Sequence, residues 1–268
     1  MNVTIDGILY HVDTIGKGFP LLLLHGFTGD STTWKPFLSQ WSQEHQVITV
    51  DIIGHGKSAS PIEVERYDIQ SVAKDIKGIL EHLGIEQANV LGYSMGGRLA
   101  LSFSLLYPQF VYKLILESAS PGLETKQEQD NRRIQDTNLS QFIRKNGIER
   151  FVDYWENIPL FHTQKKLSLH MQQEIRKQRF ENSVIGLSNS LLGMGTGAQP
   201  SWWNRLQELK AETLLLTGEQ DQKFCFIAEK MVKKMKHAKW QKFNECGHAI
   251  HVEQPEKFGT IVSVFLSN

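Results

Sequence analysis

The pentapeptide Gly-Tyr-Ser-Met-Gly at residues 92–96 decides the fold of this chain. It follows Val90 and Leu91, an apolar run typical of a buried strand, and precedes a stretch rich in Leu, Ala and Phe. A Gly-x-Ser-x-Gly sequence between a strand and a helix predicts a nucleophile elbow, a turn too tight for Cβ atoms beside the serine. We therefore expect Ser94 at the carboxyl end of a sheet, facing the positive end of the next helix.

Buried strands are predicted on both sides of this elbow. Short apolar runs occur at 21–24, 47–50 and 114–116, and the stretch 69–83 carries apolar residues at helical spacing. Such runs are typical of strands that are covered on both faces. Their alternation with amphipathic stretches predicts an α/β fold, with a mostly parallel sheet between two layers of helices.

The two ends of the chain extend this pattern. A hairpin is predicted around Asp6 and Gly7, and further strands at 213–217 and 240–243, which brings the sheet to eight strands. Helices are predicted at 226–235 and 255–266.

The strand rhythm is interrupted in the middle of the chain. Residues 122–198 contain no buried-strand run, are polar and helical in pattern, and hold six of the nine arginines. We interpret this segment as an all-helical cap inserted into a core formed by 1–121 and 199–268.

A serine hydroxyl needs a histidine as base, and that histidine needs a carboxylate to orient it. Only His248 and His251 follow the last predicted strand. His248 falls in the loop directly after the strand, where a catalytic imidazole belongs. His251 would lie in or beside the next helix and is expected to be a surface or capping residue.

The acid is expected between the serine and the histidine in chain order. Asp221 follows the strand at 213–217 and is the first candidate, with Glu219 as the local rival and Glu117 as the distant one. An oxyanion site needs two backbone N–H groups. Met95, directly after the nucleophile, and Phe27, in the loop after the strand at 21–24, are the expected donors.

Arg98 follows Ser94 by four residues and should lie one helical turn away on the same side. It is either a tolerated surface arginine or an anchor for a substrate carboxylate. Several cap arginines over one pocket would suit a polyanionic small molecule. The same segment also holds nine acidic residues, so its charge alone is weak evidence.

Composition excludes several classes of partner. Lys plus Arg and Asp plus Glu are balanced at 29 each, which gives no reason to expect nucleic acid or a membrane surface. Cys225 and Cys246 do not suggest a disulfide framework, and no signal peptide is recognised, so a cytoplasmic protein is expected. No Cys/His cluster has metal-ligand spacing, and neither a metal nor a cofactor is implied. A monomer or homodimer is expected.

Four motifs together resemble the 2-succinyl-6-hydroxy-2,4-cyclohexadiene-1-carboxylate synthase (MenH) family of the α/β-hydrolase superfamily. They are His-Gly-Phe-Thr-Gly at 25–29, Gly-His-Gly-Lys-Ser at 54–58, the elbow extended to Arg at 92–98, and Ser-Pro-Gly-Leu at 120–123. The resemblance covers nearly the whole chain. It implies a lyase of menaquinone (vitamin K2) biosynthesis that eliminates pyruvate, with Ser94 as base, primed by His248 and Asp221.

The resemblance also implies a set of substrate-binding positions, matched by local spacing: Tyr93, Arg98, Arg132, Trp155 and Arg179. Arg133 remains an alternative to Arg132, and Tyr154 to Trp155. The family's substrate carries three carboxylates, which would give the arginines a purpose.

Two other functions remain open. A serine hydrolase, either an esterase or a carbon–carbon bond hydrolase, could use the same triad, but it gives no reason for Arg98, Arg132 and Arg179 to converge. A non-catalytic receptor on this fold would retain its properties when Ser94 is replaced.

Overall fold

A computed structural model describes residues 1–267, and within them a single eight-stranded sheet forms the centre of the molecule. The strand order is β1-β2-β4-β3-β5-β6-β7-β8. The first two strands run antiparallel to their neighbours, and the other six are parallel to one another. The strands are β1 (Asn2–Ile5), β2 (Ile8–Ile15), β3 (Phe19–Leu24), β4 (His45–Val50), β5 (Ala88–Tyr93), β6 (Val111–Glu117), β7 (Glu212–Gly218) and β8 (Ala238–Phe243).

Helices cover both faces of this sheet. The α-helices of the described residues are α1 (Lys35–Trp41), α2 (Ile69–His82), α3 (Met95–Leu106), α4 (Lys126–Trp155), α5 (Leu169–Phe180), α6 (Val184–Met194), α7 (Gln222–Lys234), α8 (Ile250–Glu253) and α9 (Pro255–Ser267). Of these, α4 and α6 contribute to a separate core. The side chains of β3 alternate between the two resulting cores. Leu22 and Leu24 pack in the cluster under α2, α3 and α7, whereas Leu21 and Leu23 pack in the cluster under α1 and α9. The predicted α/β class and sheet are thereby confirmed.

The chain order reverses its direction across the sheet at β3. From β3 the chain passes to β4 on one side and then to β5 on the other side, so that β3 lies between them. The loops after β3 and β5 therefore diverge at the carboxyl edge of the sheet. A crevice at such a switch point is the usual ligand site of an open α/β sheet.

Helices α4, α5 and α6, with a 3₁₀ helix at Pro159–Lys166, lie between β6 and β7 in the chain. Their apolar residues form a separate small core, against which Phe27 of the β3 loop also packs. Gly147 has a φ of 79° and bends α4 there, so the helix consists of two segments. Within residues 1–267, no helix combines the length and hydropathy that a membrane span requires.

Candidate active site

The elbow places Ser94 at the end of β5 in a strained conformation. Its φ is 50°, and its N–H donates a 2.8 Å hydrogen bond to the carbonyl of Glu117 on the neighbouring strand. Side chains are excluded around it, because a Cβ on Gly96 would collide with the carbonyl oxygen of Leu24 and one on Gly92 would collide with Gly96. These contacts press the start of α3 against the β3 loop and raise the serine above the sheet edge.

Ser94, His248 and Asp221 form one hydrogen-bonded chain. The Nε2 atom of His248 lies 3.0 Å from Ser94 Oγ, and its Nδ1 atom lies 2.6 Å from Asp221 Oδ2. His248 is 2% exposed, and Asp221 also accepts from the N–H of Phe224 in α7. Because Nδ1 faces a carboxylate, it carries the imidazole proton, and Nε2 is left to accept the proton of the serine hydroxyl.

The rival acids occupy different positions. Glu219 is exposed and accepts from the N–H of Glu245, away from His248. Glu117 is fully buried and pairs with His251, whose Nδ1 lies 2.9 Å from the carboxylate. The expectation that His251 is a surface or capping residue is therefore wrong, since its side chain is buried beneath the elbow.

The two expected oxyanion donors lie on the diverging loops. Met95 begins α3, so its N–H has no intrahelical acceptor. Phe27 lies in the β3 loop, one residue before Thr28, which has a φ of 69°. Within residues 1–267, the structure gives neither N–H a backbone acceptor. Both N–H groups therefore remain candidates for the predicted oxyanion site.

The imidazole of His25 stabilises the β3 loop, but it takes no part in the hydrogen bonds that join Ser94, His248 and Asp221. His25 Nε2 accepts a 2.9 Å hydrogen bond from the N–H of Ile52, so its Nδ1 is the atom that donates to Gly26 O. Burial lowers the pKa of His25, which keeps the ring neutral. Asp51 accepts from the N–H groups of Ser31 and Lys57 at 2.6 and 2.8 Å. These residues stabilise the two loops that flank the site.

Aromatic side chains from the segment between β6 and β7 pack against the β3 loop. Trp155 packs edge-on against Phe27, with ring centroids 5.3 Å apart, and it also contacts Phe161. Tyr154 points away, with 51% of its surface exposed, and contacts Phe142. Of the two neighbouring aromatic residues, Trp155 therefore faces the loop with the oxyanion donor.

Arg98, in α3, is hydrogen-bonded to the end of α6 and to the segment that follows it. Its Nη1 donates to the carbonyl of Met194 at 2.7 Å and to Gln199 Oε1 at 2.8 Å. Burial, and then the positive charge of Arg132, lower the pKa of Arg98 to about 10, so it stays protonated at neutral pH. One nitrogen of the guanidinium is held by protein acceptors, which fixes the group in place.

Arg132 completes a cationic cluster with Arg98 and Lys223. Its Nε pairs with Asp136 at 2.7 Å. Lys223 lies in the first turn of α7, and burial followed by the charge of Arg132 lowers its pKa. Arg133 instead points to Gly197 O and is half exposed. Sequence analysis did not identify Lys223; its position two residues after Asp221 was the signal that could have found it.

Arg179 lies on another side of the site. It is 5% exposed, stacks 4.9 Å from the ring centroid of Phe161 and donates to Gln164 Oε1 at 3.1 Å. Burial lowers its pKa, and the nearby Tyr93 has the opposite effect. Tyr93 in turn has its ring centroid 5.5 Å from that of His248. The three predicted arginines therefore do not form one group. Arg98 is influenced by the charge of Arg132, whereas Arg179 lies near Tyr93.

A metal site requires several ligating side chains that lie close together. Within residues 1–267, no group of three or more His, Cys, Asp or Glu side chains has the arrangement needed to hold a metal ion.

This combination of an elbow serine, a histidine–carboxylate pair and two free amides on a parallel sheet defines a class of protein. The model of the alpha/beta hydrolase fold family matches residues 20–255, and the chain belongs to that family.

The particular relatives include synthases. The chain is 42% identical over 271 residues to a Bacillus subtilis (strain 168) protein that is provisionally assigned as a 2-succinyl-6-hydroxy-2,4-cyclohexadiene-1-carboxylate synthase, covering 100% of this chain and 98% of that protein. The structure of MenH from S. aureus superposes with a TM-score of 0.92 at 35% identity, covering 96% and 97% of the two chains. The resemblance identified from the motifs is confirmed. A Thermogutta terrifontis esterase is also similar, with a TM-score of 0.87 at 26% identity over 100% and 98% of the chains.

Proposed function

We propose that the protein is a carbon–oxygen lyase of menaquinone biosynthesis. It eliminates pyruvate from 2-succinyl-5-enolpyruvyl-6-hydroxy-3-cyclohexene-1-carboxylate and yields 2-succinyl-6-hydroxy-2,4-cyclohexadiene-1-carboxylate. The observation that carries this assignment beyond the fold is the 42% identity over the whole chain to a protein assigned as such a synthase. The mutual influence of the positive charges of Arg98, Arg132 and Lys223 supports it. A hydrolase of neutral esters gives no reason for three cations to lie near one another beside its nucleophile.

Ser94 acts as the base in this proposal. Its Oγ removes the proton from the carbon next to the succinyl ketone while His248 Nε2 takes the hydroxyl proton, and Asp221 stabilises the resulting imidazolium. The electron pair moves first into the ketone oxygen as an enolate, which the N–H groups of Phe27 and Met95 stabilise. Collapse of the enolate forms a double bond between C2 and C3, shifts the existing ring double bond to C4 and C5, and breaks the C5–oxygen bond. The departing enolate takes up a proton to become pyruvate.

The small-molecule substrate is polyanionic, and the proposed binding residues neutralise its three carboxylates. Arg98, Arg132 and Arg179 supply the guanidinium groups, and Lys223 adds an ammonium group. The ring of Tyr93 and the indole of Trp155 would form the remaining walls. The indole N–H of Trp155 is buried and has no acceptor within residues 1–267, so it is a further donor that a substrate oxygen could use.

We also propose the organisation that surrounds this chemistry. The helical segment 122–198 is the cap over a core of 1–121 and 199–268, and the protein works as a monomer or homodimer in the cytoplasm, without nucleic acid or membrane partners. The free thiols of Cys225 and Cys246 and the balanced charge support this setting.

A serine hydrolase remains the second candidate, because the esterase from Thermogutta terrifontis superposes over the whole chain. Both candidates use the same Ser94, His248 and Asp221. They differ in whether the arginines are needed and in whether water enters the reaction.

A coupled assay separates the two candidates. Purified protein receives the enolpyruvyl cyclohexene substrate, and pyruvate release and diene absorbance are followed together, with Ser94→Ala as the control. We expect equal amounts of pyruvate and diene, formed well above the spontaneous rate by the wild type alone. Activity on simple esters without pyruvate release would replace this proposal with the hydrolase.

A further inference from the structure

We propose that Glu253 is a positioning residue that couples the seating of the cap to the alignment of the His248 imidazole. Glu253 is the last residue of α8 and follows His248 by five positions. This inference rests on the proposed catalytic role of His248, but not on the identity of the substrate.

The Glu253 carboxylate bridges two parts of the molecule. Its Oε2 accepts a 2.7 Å hydrogen bond from the N–H of Gly247, the residue directly before His248. Its Oε1 accepts a 2.9 Å hydrogen bond from the hydroxyl of Thr163, which lies in the 3₁₀ helix of the cap. One side chain of the core thus joins a cap residue to the backbone that carries the proposed base.

Packing leaves little freedom in this bridge. Thr163 is 6% exposed, and a Cβ on Gly247 would collide with its side chain, so the cap touches the histidine loop directly. On the opposite side, the carbonyl of Cys246 accepts a 2.9 Å hydrogen bond from the N–H of Gln220, next to Asp221. The histidine loop is therefore clamped between the cap and the loop that supplies the acid.

The orientation of the Gly247 peptide determines where the His248 side chain points. His248 must keep Nε2 within hydrogen-bond distance of Ser94 Oγ, and a misplacement of about 1 Å can reduce a rate by about 10²-fold. The cap also contacts the imidazole itself, since the rings of Phe161 and His248 meet edge to face at 6.3 Å. If the cap moved away, the Thr163–Glu253 hydrogen bond and the contact between Phe161 and His248 would both be lost.

Three substitutions isolate the bridge. Thr163→Val keeps the shape that packs on Gly247 and removes only the hydroxyl. Glu253→Ala removes both hydrogen bonds, whereas Glu253→Gln keeps an oxygen for the Gly247 N–H and an amide that can donate to the Thr163 hydroxyl. Gln178→Ala is the matched control, because Gln178 joins the cap to Asp30 at 2.8 Å without touching the histidine loop.

The test is a double-mutant cycle on kcat for pyruvate release, with thermal melting to verify folding. We expect Glu253→Ala to lower kcat about tenfold or more and Thr163→Val about threefold or more. The double variant should be no slower than Glu253→Ala, Glu253→Gln should stay within about threefold of the wild type, and Gln178→Ala within about twofold. Additive losses, or equal losses in Thr163→Val and Gln178→Ala, would overturn the coupling.

A second readout does not depend on the substrate. A fluorophosphonate reacts with a serine only when its base is aligned, and intact-mass measurement gives the labelling rate of Ser94 for each variant. Slower labelling in Thr163→Val and Glu253→Ala, together with no pyruvate release by the wild type, would retain the positioning role and reject the proposed substrate. Equal labelling rates in all folded variants would reject the positioning role.

Discussion

This protein has two buried histidine–carboxylate pairs whose histidines are three residues apart, and of these two only His248 contacts a serine hydroxyl. His248 meets Asp221 at 2.6 Å, and His251 meets Glu117 at 2.9 Å. Both histidines are at most 4% exposed. The pairs differ in what surrounds the rest of the ring, since His248 Nε2 reaches Ser94 Oγ at 3.0 Å.

The surroundings of the second pair are aromatic. The ring of His251 lies 5.3 Å from that of Trp34 and 4.6 Å from that of Tyr93, and Glu117 also receives the backbone N–H of His251. The pair therefore supports the floor under the elbow. A buried histidine with a carboxylate is not by itself evidence of catalysis; the group that faces its second nitrogen decides its role.

The largest expected effect separates the two histidines directly. His248→Ala should lower kcat by at least about 10⁴-fold, because Ser94 loses its base. His251→Ala should leave kcat of the folded fraction within about tenfold. Steady-state pyruvate release, with the folded fraction measured by circular dichroism, gives both numbers. Comparable losses in two well-folded variants would show that the second pair also takes part in the chemistry.

The next effect concerns the carboxylates. Asp221→Asn should lower kcat by about 10³–10⁴-fold, because an amide at this position favours the wrong tautomer of His248. Glu219→Gln, the neighbouring acidic position, serves as the control and should retain activity within about twofold. A large loss in Glu219→Gln with little loss in Asp221→Asn would transfer the role of acid to Glu219.

A smaller effect should appear in stability. His251→Leu leaves the Glu117 carboxylate buried without its partner, which should lower the free energy of unfolding by about 3–5 kcal/mol. Urea denaturation at pH 7 measures this loss. The double variant Glu117→Leu/His251→Leu should recover part of it, because no charge remains buried. Stability of the single variant within 1 kcal/mol of wild type would contradict a supporting role for the pair.

The smallest expected effect concerns His55, a buried histidine whose ring contacts the carbonyl of Ile53 instead of a carboxylate. Burial, together with the neighbouring His25, lowers the pKa of His55 to about 3. Below pH 6.5 the unfolded chain binds a proton that the folded chain does not, so this contribution to stability is present above pH 6.5 and is lost as the pH falls toward 3. At pH 5 the loss should be about 2 kcal/mol relative to pH 7.5.

His55→Gln removes this titration and gives the control. Its free energy of unfolding should fall less between pH 7.5 and pH 5 than that of the wild type, by the same amount. Identical pH dependence in the two proteins would show that His55 is not kept neutral by burial.

The sequence predicted the sheet and the elbow because both follow local rules. Apolar runs define strands such as β3, and glycines on either side of Ser94 permit only a tight turn. The loops after β7 and β8 were located by chain order, and the structure brings their Asp221 and His248 together. The roles that we propose for these residues remain predictions.

Long-range packing explains what the sequence analysis missed. His251 follows Glu117 by 134 residues, and no local sequence pattern near either residue predicts that α8 places them in contact. Lys223 has no motif of its own; its significance comes from the charge of Arg132, which lies on α4. The hydrogen bonds of Arg98 to Met194 and Gln199 likewise depend on how the end of α6 and the segment after it fold over α3.

The close contact between Gly96 and the carbonyl of Leu24 has a practical consequence for anyone who wishes to redirect this enzyme. A mutant library that randomises positions 92 and 96 together with the pocket would consist mostly of misfolded clones, since any side chain there pushes α3 away from the β3 loop. Screening effort is better spent on Arg132 and Lys223, whose side chains are at least partly exposed. The scaffold thus separates the positions that can be altered to change substrate from those that must stay fixed for any chemistry to occur.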